Sequence, residues 1–220
     1  MRISRLFDLK QSVAKEYIEK FTFPHEILAG LKDYVHDLVL KLPAAEYEKR
    51  EEGVAVHKSA SVSNSAVILP PCVICAGAEI RCGAFLRGGV IVGENCVVGN
   101  STEIKNAVLF NGVQVPHYNY IGDSVLGYKA HFGAGSITSN VKSDKSLVCI
   151  KGESEKVETG RKKVGAFVGD YAEIGCNSVL CPGTVIGRGA VVYPLTLVRG
   201  EVGENVIVKT GGERIKKESR

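Results

Sequence analysis

What this 220-residue chain lacks rules out several protein classes. No apolar run reaches the ~18 residues that a membrane span requires, so no membrane association is expected. The N-terminus has no apolar stretch of the kind a secretion signal carries, and a cytoplasmic location follows by default. The seven cysteines are an odd number and fall in no disulfide-framework spacing. Cys72 and Cys75 form a CxxC, but there is no second CxxC to complete a zinc site, and in a strand the two would face different ways. Reduced structural thiols are the expectation, with no metal. Charge of one sign is also scarce. The formal net charge is +4, and much of the basicity sits in Lys209, Arg214, Lys216, Lys217 and Arg220, a solvated tail that gives no reason to expect nucleic acid. Finally, no helical period of 3.6 runs through most of the chain.

What is present is a period of six. From Val56 an aliphatic or aromatic residue recurs at Val62, Ile68, Ile74, Ile80, Leu86, Val92, Val98, Ile104 and Phe110, and again at Val168, Ile174, Leu180, Ile186, Val192 and Val198. Two residues before each stands a small or β-branched residue, such as Cys72, Ala78, Ala84 or Thr102. A short strand with two inward residues, then a tight turn, satisfies this spacing, and the hexad repeat is a signature of a parallel β-helix. The 25 glycines suit a fold full of turns. Three hexads close one coil, so residues 18 apart stack on neighbouring coils.

The organisation expected is residues 1–53 as helices and linker, 54–200 as β-helix and 201–220 as a strand and basic tail. Within the first segment, Ile27, Leu28, Leu31, Val35, Leu38 and Val39 mark an amphipathic helix opened by Pro24, with an earlier helix over Lys10 to Phe21. These helices are expected to cover the open end of the β-helix, or alternatively to bind a partner. His25 and His36 belong to this segment, as surface or packing residues. The charged stretch from Glu46 to Gly53 reads as a linker. Two interruptions break the hexads. Tyr120, Leu126, Phe132 and Thr138 are in step with one another but four residues out of phase with Phe110, which predicts a loop inserted near 111–119. A polar excursion over 140–165, rich in charge (Glu153, Glu155, Arg161, Lys162 and Lys163 among others), reads as a hairpin leaving the coil.

Chemistry enters through the stacking. Arg87 and Lys105 are 18 apart and project outward in register. Stacked like charges repel, so a phosphate between them would give the arrangement a reason, although two solvated cations satisfy the same spacing. His117, in the predicted loop, can act as a general base, or be an ordinary surface histidine. Glu103 lies nearby to orient it. Gly133-Ala134-Gly135 offers backbone N–H groups to a developing oxyanion, or is simply a turn.

Together these residues resemble a known family. Arg87-Gly-Gly, Gly99-Asn-Ser-Thr-Glu103-Ile-Lys105, His117-Tyr-Asn-Tyr120-Ile-Gly122-Asp123-Ser and Gly133-Ala-Gly-Ser-Ile-Thr-Ser-Asn140 look like the acetyltransferase half of the bifunctional N-acetylglucosamine-1-phosphate uridyltransferase/glucosamine-1-phosphate acetyltransferase. The resemblance covers about residues 54–200. It implies a left-handed parallel β-helix of hexapeptide repeats, a homotrimer, and N-acetyl transfer from acetyl-CoA to an amino-sugar 1-phosphate without a metal. It implies that Arg87, Lys105 and Tyr120 hold the sugar phosphate, that His117 deprotonates the amine with Glu103 behind it, and that the Ala134 amide meets the acyl carbonyl. It further implies that Asn140 and Cys176 contact acetyl-CoA.

The chain departs from the family at three places. His131 stands where the family has a sugar-binding asparagine. Lys145 is the nearest match to a substrate lysine after Asn140. Residues 1–50 hold no Gly-rich loop with lysine, so nucleotidyl transfer is not expected. Two other readings remain. One is a non-catalytic trimer that binds a sugar phosphate. The other is a β-helical zinc enzyme using His57, His117 and His131, which lacks the required histidine pair five apart.

Overall fold

The computed structural model describes residues 1–50, 53–152 and 156–218. Glu153, Glu155 and Arg220, named above, lie outside these residues, as do positions 51–52 of the charged linker.

The hexads form a parallel β-helix with three faces. The first face stacks Val54–His57, Cys72–Ile74 and Val90–Val92, the second halves of two long strands, Glu103–Leu109 and Tyr120–Leu126, and then Ala166–Val168, Thr184–Ile186 and Glu201–Val202. The second face runs through Ser61–Val62, Glu79–Ile80, Val97–Asn100, Gln114–His117, His131–Phe132, Glu173–Ile174, Val191–Val192 and Val206–Val208. The third holds Val67–Ile68, Phe85–Leu86, the first halves of the two long strands, Ile137–Thr138, Val179–Leu180 and Leu197–Val198. Strands this short alternate inward and outward residues. The inward ones, such as Ile74, Val92, Ile104 and Leu180, form one continuous buried core, each worth roughly 1.5–3 kcal/mol on burial. The solenoid runs on to Val208, past the boundary expected near residue 200, and Arg214–Lys216 closes it antiparallel to Val206–Val208.

No loop is inserted at 111–119. The phase change arises from two shortened corners. In a full-length coil the corner from third to first face is Gly88-Gly89, both at positive φ (83° and 65°). In the next two coils a single residue turns it: Asn106 (φ 47°), then Asp123 (φ 49°). Each coil loses one residue, so Asn106 lies 17 positions below Asp123, where the ordinary step is 18. Two residues lost from a hexad is the same phase as four gained. Leu109 is therefore the inward residue, and its neighbour Phe110 points outward, its ring 5.1 Å from that of Phe7. His117 belongs to a regular strand of the second face.

The 140–165 excursion is a hairpin, as expected: Cys149–Lys151 pairs antiparallel with Lys156–Glu158. Across it the coil step grows to 42, as the Ala166 N–H donates to Ser124 Oγ at 3.0 Å.

The N-terminal helices do not cover the end of the solenoid. They lie along the first face. The helix Ile27–Lys41 buries Ile27, Leu28, Leu31, Val35 and Val39 in one cluster with the outward residues Val73, Ile91, Val108, Val125 and Phe167 and with Val148, Ile150 and Val164 of the hairpin region. The stretch before it is shorter in helix than expected, with a helix at Lys15–Ile18 and a 3₁₀ turn at Leu9–Gln11 in place of one helix over 10–21, and a further turn of helix at Ile3–Leu6. Buried Asp170 anchors it, accepting from the amides of Asp8 (2.7 Å) and Tyr128 (2.8 Å). Tyr47–Arg50, within the expected linker, is a strand antiparallel to Val54–His57. An apolar helix stripe finds more apolar area along the side than at the end, where Val62, Ala66 and Ile68 stay only partly buried. No helix among the described residues is long and apolar enough to cross a membrane.

Candidate functional site

The third face and its two corners carry most of the residues singled out by sequence. Arg87, Glu103, Lys105 and Tyr120 project outward there, because each lies next to an inward residue of the same strand: Leu86, Ile104 or Ile121. Arg87 and Lys105 line one cleft of about 580 Å³, at the shortened corner. Asp123 forms its floor, 2% exposed. It accepts from Asn106 Nδ2 at 2.9 Å and Asn140 Nδ2 at 2.6 Å, and faces Lys105 Nζ at 3.7 Å. The Asn140 amide also reaches the Tyr120 hydroxyl at 3.2 Å. Burial, then the negative charges of Asp123 and Glu103, raise the Tyr120 pKa above the ordinary phenol value. That phenol stays protonated and can donate. Asn140 is thus a brace of the cleft, with its amide committed to Tyr120 and Asp123, where the resemblance implied an acetyl-CoA contact.

His117 stands at the other edge of the face, at the corner from second to third. It is exposed, and among the described residues its ring makes no hydrogen bond. Its backbone is firmly held: its N–H donates to Asn119 Oδ1 (3.1 Å) and its carbonyl accepts from the Gly135 amide (3.0 Å). Asn119, only 2% exposed, donates in turn to the carbonyls of Gly133 (2.9 Å) and Ser136 (3.0 Å). This stacks the Gly133-Ala134-Gly135 corner directly over His117. The Ala134 amide donates to no group among the described residues. One coil further, the Asn177 amide donates to the Ala134 carbonyl at 2.8 Å, and a Cβ at Gly133 would lie 2.6 Å from the Cys176 nitrogen. His117, Ala134 and Cys176 therefore climb one corner.

Three expected roles are not supported by the positions. Glu103 does not orient His117. Its carboxylate takes the Arg87 guanidinium at 2.7 Å, a permanent cation one coil below. His131 lies at the start of the second face, its Nδ1 2.9 Å from Glu173 Oε2, in a separate hollow with Lys129 and Tyr171, so within one chain it does not reach the Arg87–Lys105 cleft. Lys145 sits in an exposed turn with φ 55° and does not line the cleft. His57 engages Ser59, and His57, His117 and His131 do not converge within the chain.

Sequence reasoning assigned no role to other residues that line the cleft: Asn106, Asp123, Lys32 from the long helix, and Arg161, Lys162 and Lys163 from the far end of the hairpin. The hairpin is stapled there. Val164 N–H donates to the Asn140 carbonyl (3.0 Å) and Gly165 N–H to the Asp123 carbonyl (2.8 Å).

The chain is similar to several known proteins. Residues 68–162 match the family described as GMPPB C-terminal domain. A bifunctional sugar-1-phosphate nucleotidylyltransferase/acetyltransferase of Sulfurisphaera tokodaii is 37% identical over 103 residues, 47% of this chain and 26% of that protein. The bifunctional protein GlmU of Methanocaldococcus jannaschii is 31% identical over 115 residues, 52% of this chain and 28% of the relative. The match thus spans about a quarter of the length of these relatives. Among solved structures, the acetyltransferase domain of PglB from Neisseria gonorrhoeae, in complex with acetyl coenzyme A, superposes with a TM-score of 0.34 at 18% identity, over 71% of this chain and 54% of that one.

Proposed function

We propose that this chain is a CoA-dependent N-acetyltransferase of the hexapeptide-repeat class whose acceptor is an amino-sugar 1-phosphate, glucosamine-1-phosphate in the first instance. The observation that carries the reading is one face with a two-cation cleft at one corner and, at the other, an exposed histidine under a backbone amide that donates to nothing among the described residues. The names of the relatives support it.

In this reading the sugar phosphate enters the cleft and pairs with Arg87 and Lys105, drawing them from Glu103 and Asp123. The protonated Tyr120 hydroxyl donates to the acceptor. The amino group then points along the face towards His117. The neutral imidazole takes a proton from the amine as its lone pair attacks the thioester carbonyl of acetyl-CoA. A C–N bond forms, and the carbonyl oxygen takes up negative charge that the Ala134 N–H receives. Collapse breaks the C–S bond, and the imidazolium returns its proton to the departing thiolate. Fixing both reactants on one rigid face supplies the orientation such a step needs. Cys176, on the same corner, would border the thioester. Exposed apolar residues beside it, Tyr118, Leu195 and Leu197, are the surface on which we place the contacts of a cytoplasmic homotrimer.

A second reading, a trimer that binds a sugar phosphate without turnover, draws on the His117 ring having no partner among the described residues and on Glu103 being taken by Arg87. A thiol-release assay with acetyl-CoA and glucosamine-1-phosphate separates the two. Turnover that falls about 10²–10⁴-fold in His117→Ala supports the acetyltransferase. Absent turnover, with glucosamine-1-phosphate still raising the melting temperature, supports the binding module.

A further inference from the structure

The cleft holds more positive charge than one sugar phosphate uses. Arg87 and Lys105 account for a monophosphate. Beside them stand Lys32, Arg161, Lys162 and Lys163, which form no ion pair among the described residues. Within the cleft lining the opposing carboxylate is Asp123, already engaged by Asn106, Asn140 and Lys105. Nor do the four cations belong to a floppy rim. The Lys32 Cβ lies 3.7 Å from where a Cβ on Gly89 would be, and Lys163 bridges Val141 immediately before the residues that donate to Asn140 and Asp123. Arg161 Nε is buried without a hydrogen-bond partner among the described residues, an orphan donor that costs free energy unless something fills it. Helix and hairpin thus bring cations from two distant segments to the wall of the same cleft. Like charges assembled on a scaffold this rigid call for an anion.

We propose that Lys32, Arg161, Lys162 and Lys163 form a second anion subsite, which holds the further phosphate of a diphosphate-containing ligand while Arg87 and Lys105 hold the first. This rests on the phosphate reading of Arg87 and Lys105. Two small molecules present that chemistry: a nucleoside diphosphate amino sugar as acceptor, and the pyrophosphate of coenzyme A.

Isothermal titration with inorganic phosphate and with inorganic pyrophosphate tests it, on the wild-type chain and on Lys162→Gln/Lys163→Gln, two exposed positions whose loss leaves the core untouched. Pyrophosphate is expected to bind about tenfold tighter or more than phosphate, and the double variant to lose that advantage while phosphate affinity stays the same. Equal affinity for the two ions in the wild type, or an equal loss of both in the variant, would overturn the second subsite while leaving the first in place. Failure of phosphate, pyrophosphate and glucosamine-1-phosphate all to bind would sink the first reading and this one with it. UDP-glucosamine and coenzyme A then identify the source. A loss confined to UDP-glucosamine assigns the subsite to the acceptor, and one confined to coenzyme A assigns it to the acyl donor. No loss with either overturns the proposal.

Discussion

The first and third faces of the solenoid obey the same inward rule and differ only in what points out. On the first face the outward residue is apolar in every strand from Val54–His57 to Thr184–Ile186: Ala55, Val73, Ile91, Val108, Val125, Phe167 and Val185, all 0% exposed; in the last strand it is Glu201. On the third face the same position holds Val67, Phe85, Glu103, Tyr120, Ile137, Val179 and Leu197, with Val67 at 52% and Leu197 at 57% exposed. The first face recruits the N-terminal helix and the hairpin as a plate. The third stays open and carries the chemistry. Inward residues decide that a β-helix forms, and outward ones decide what each face is for. The cleft lies where the two regimes meet, at the shortened corners of Asn106 and Asp123.

The strongest way to break this comparison is to damage the plate. Phe110→Ala removes a fully buried ring between solenoid and N-terminal segment. A loss of about 3–5 kcal/mol is expected, read as a lower urea midpoint. If the N-terminal segment were a loosely held appendage, the midpoint would hardly move.

The third face should behave in the opposite way. Arg87 is exposed and its pair with Glu103 is a surface ion pair, so Arg87→Ala is expected to leave the urea midpoint almost unchanged. Its effect belongs to binding: KM for glucosamine-1-phosphate should rise about tenfold or more, as loss of a charged hydrogen bond implies, with KM for acetyl-CoA unchanged. Equal rises in both would argue against a phosphate clamp.

Much of this architecture was legible because a solenoid turns sequence spacing into adjacency. Residues 18 apart stack, so Arg87 and Lys105 could be paired from the chain alone, and the hexad period predicted the core up to Ile104. The reading failed at Leu109-Phe110 because two adjacent apolar residues fit either phase, and a six-fold pattern cannot tell two residues lost from four gained. A second period was also present. The apolar triplets Val54-Ala55-Val56, Cys72-Val73-Ile74 and Val90-Ile91-Val92 recur every third hexad and mark the plated face. A search for alternating residues passes over them. Lys32 and Arg161–Lys163 carry no such signal. Their place in the cleft is set by how a helix and a hairpin pack on that plate, through contacts distant in sequence, and no local spacing encodes it. Glu103 was misassigned for a related reason. Proximity along the chain suggested His117, while stacking delivered Arg87.

The smallest expected effect sharpens the comparison from the side of the plate. His25 is buried just before the long helix, and its Nδ1 has no hydrogen-bond partner among the described residues. Burial lowers its pKa below the usual histidine value, with Glu26 opposing and Arg161 adding to the shift. A folded-state pKa below the unfolded one means that its contribution is intact above the ordinary histidine range and is lost as pH falls through the folded value. Acidification should therefore loosen the plate first, beside Arg161 and the cleft. His25→Leu puts an apolar side chain in the same pocket and removes the proton site. Urea midpoints between about pH 7.5 and about pH 5.5, the range in which histidines titrate, should fall less steeply for the variant than for the wild type. Parallel slopes would mean that the plate is held independently of His25.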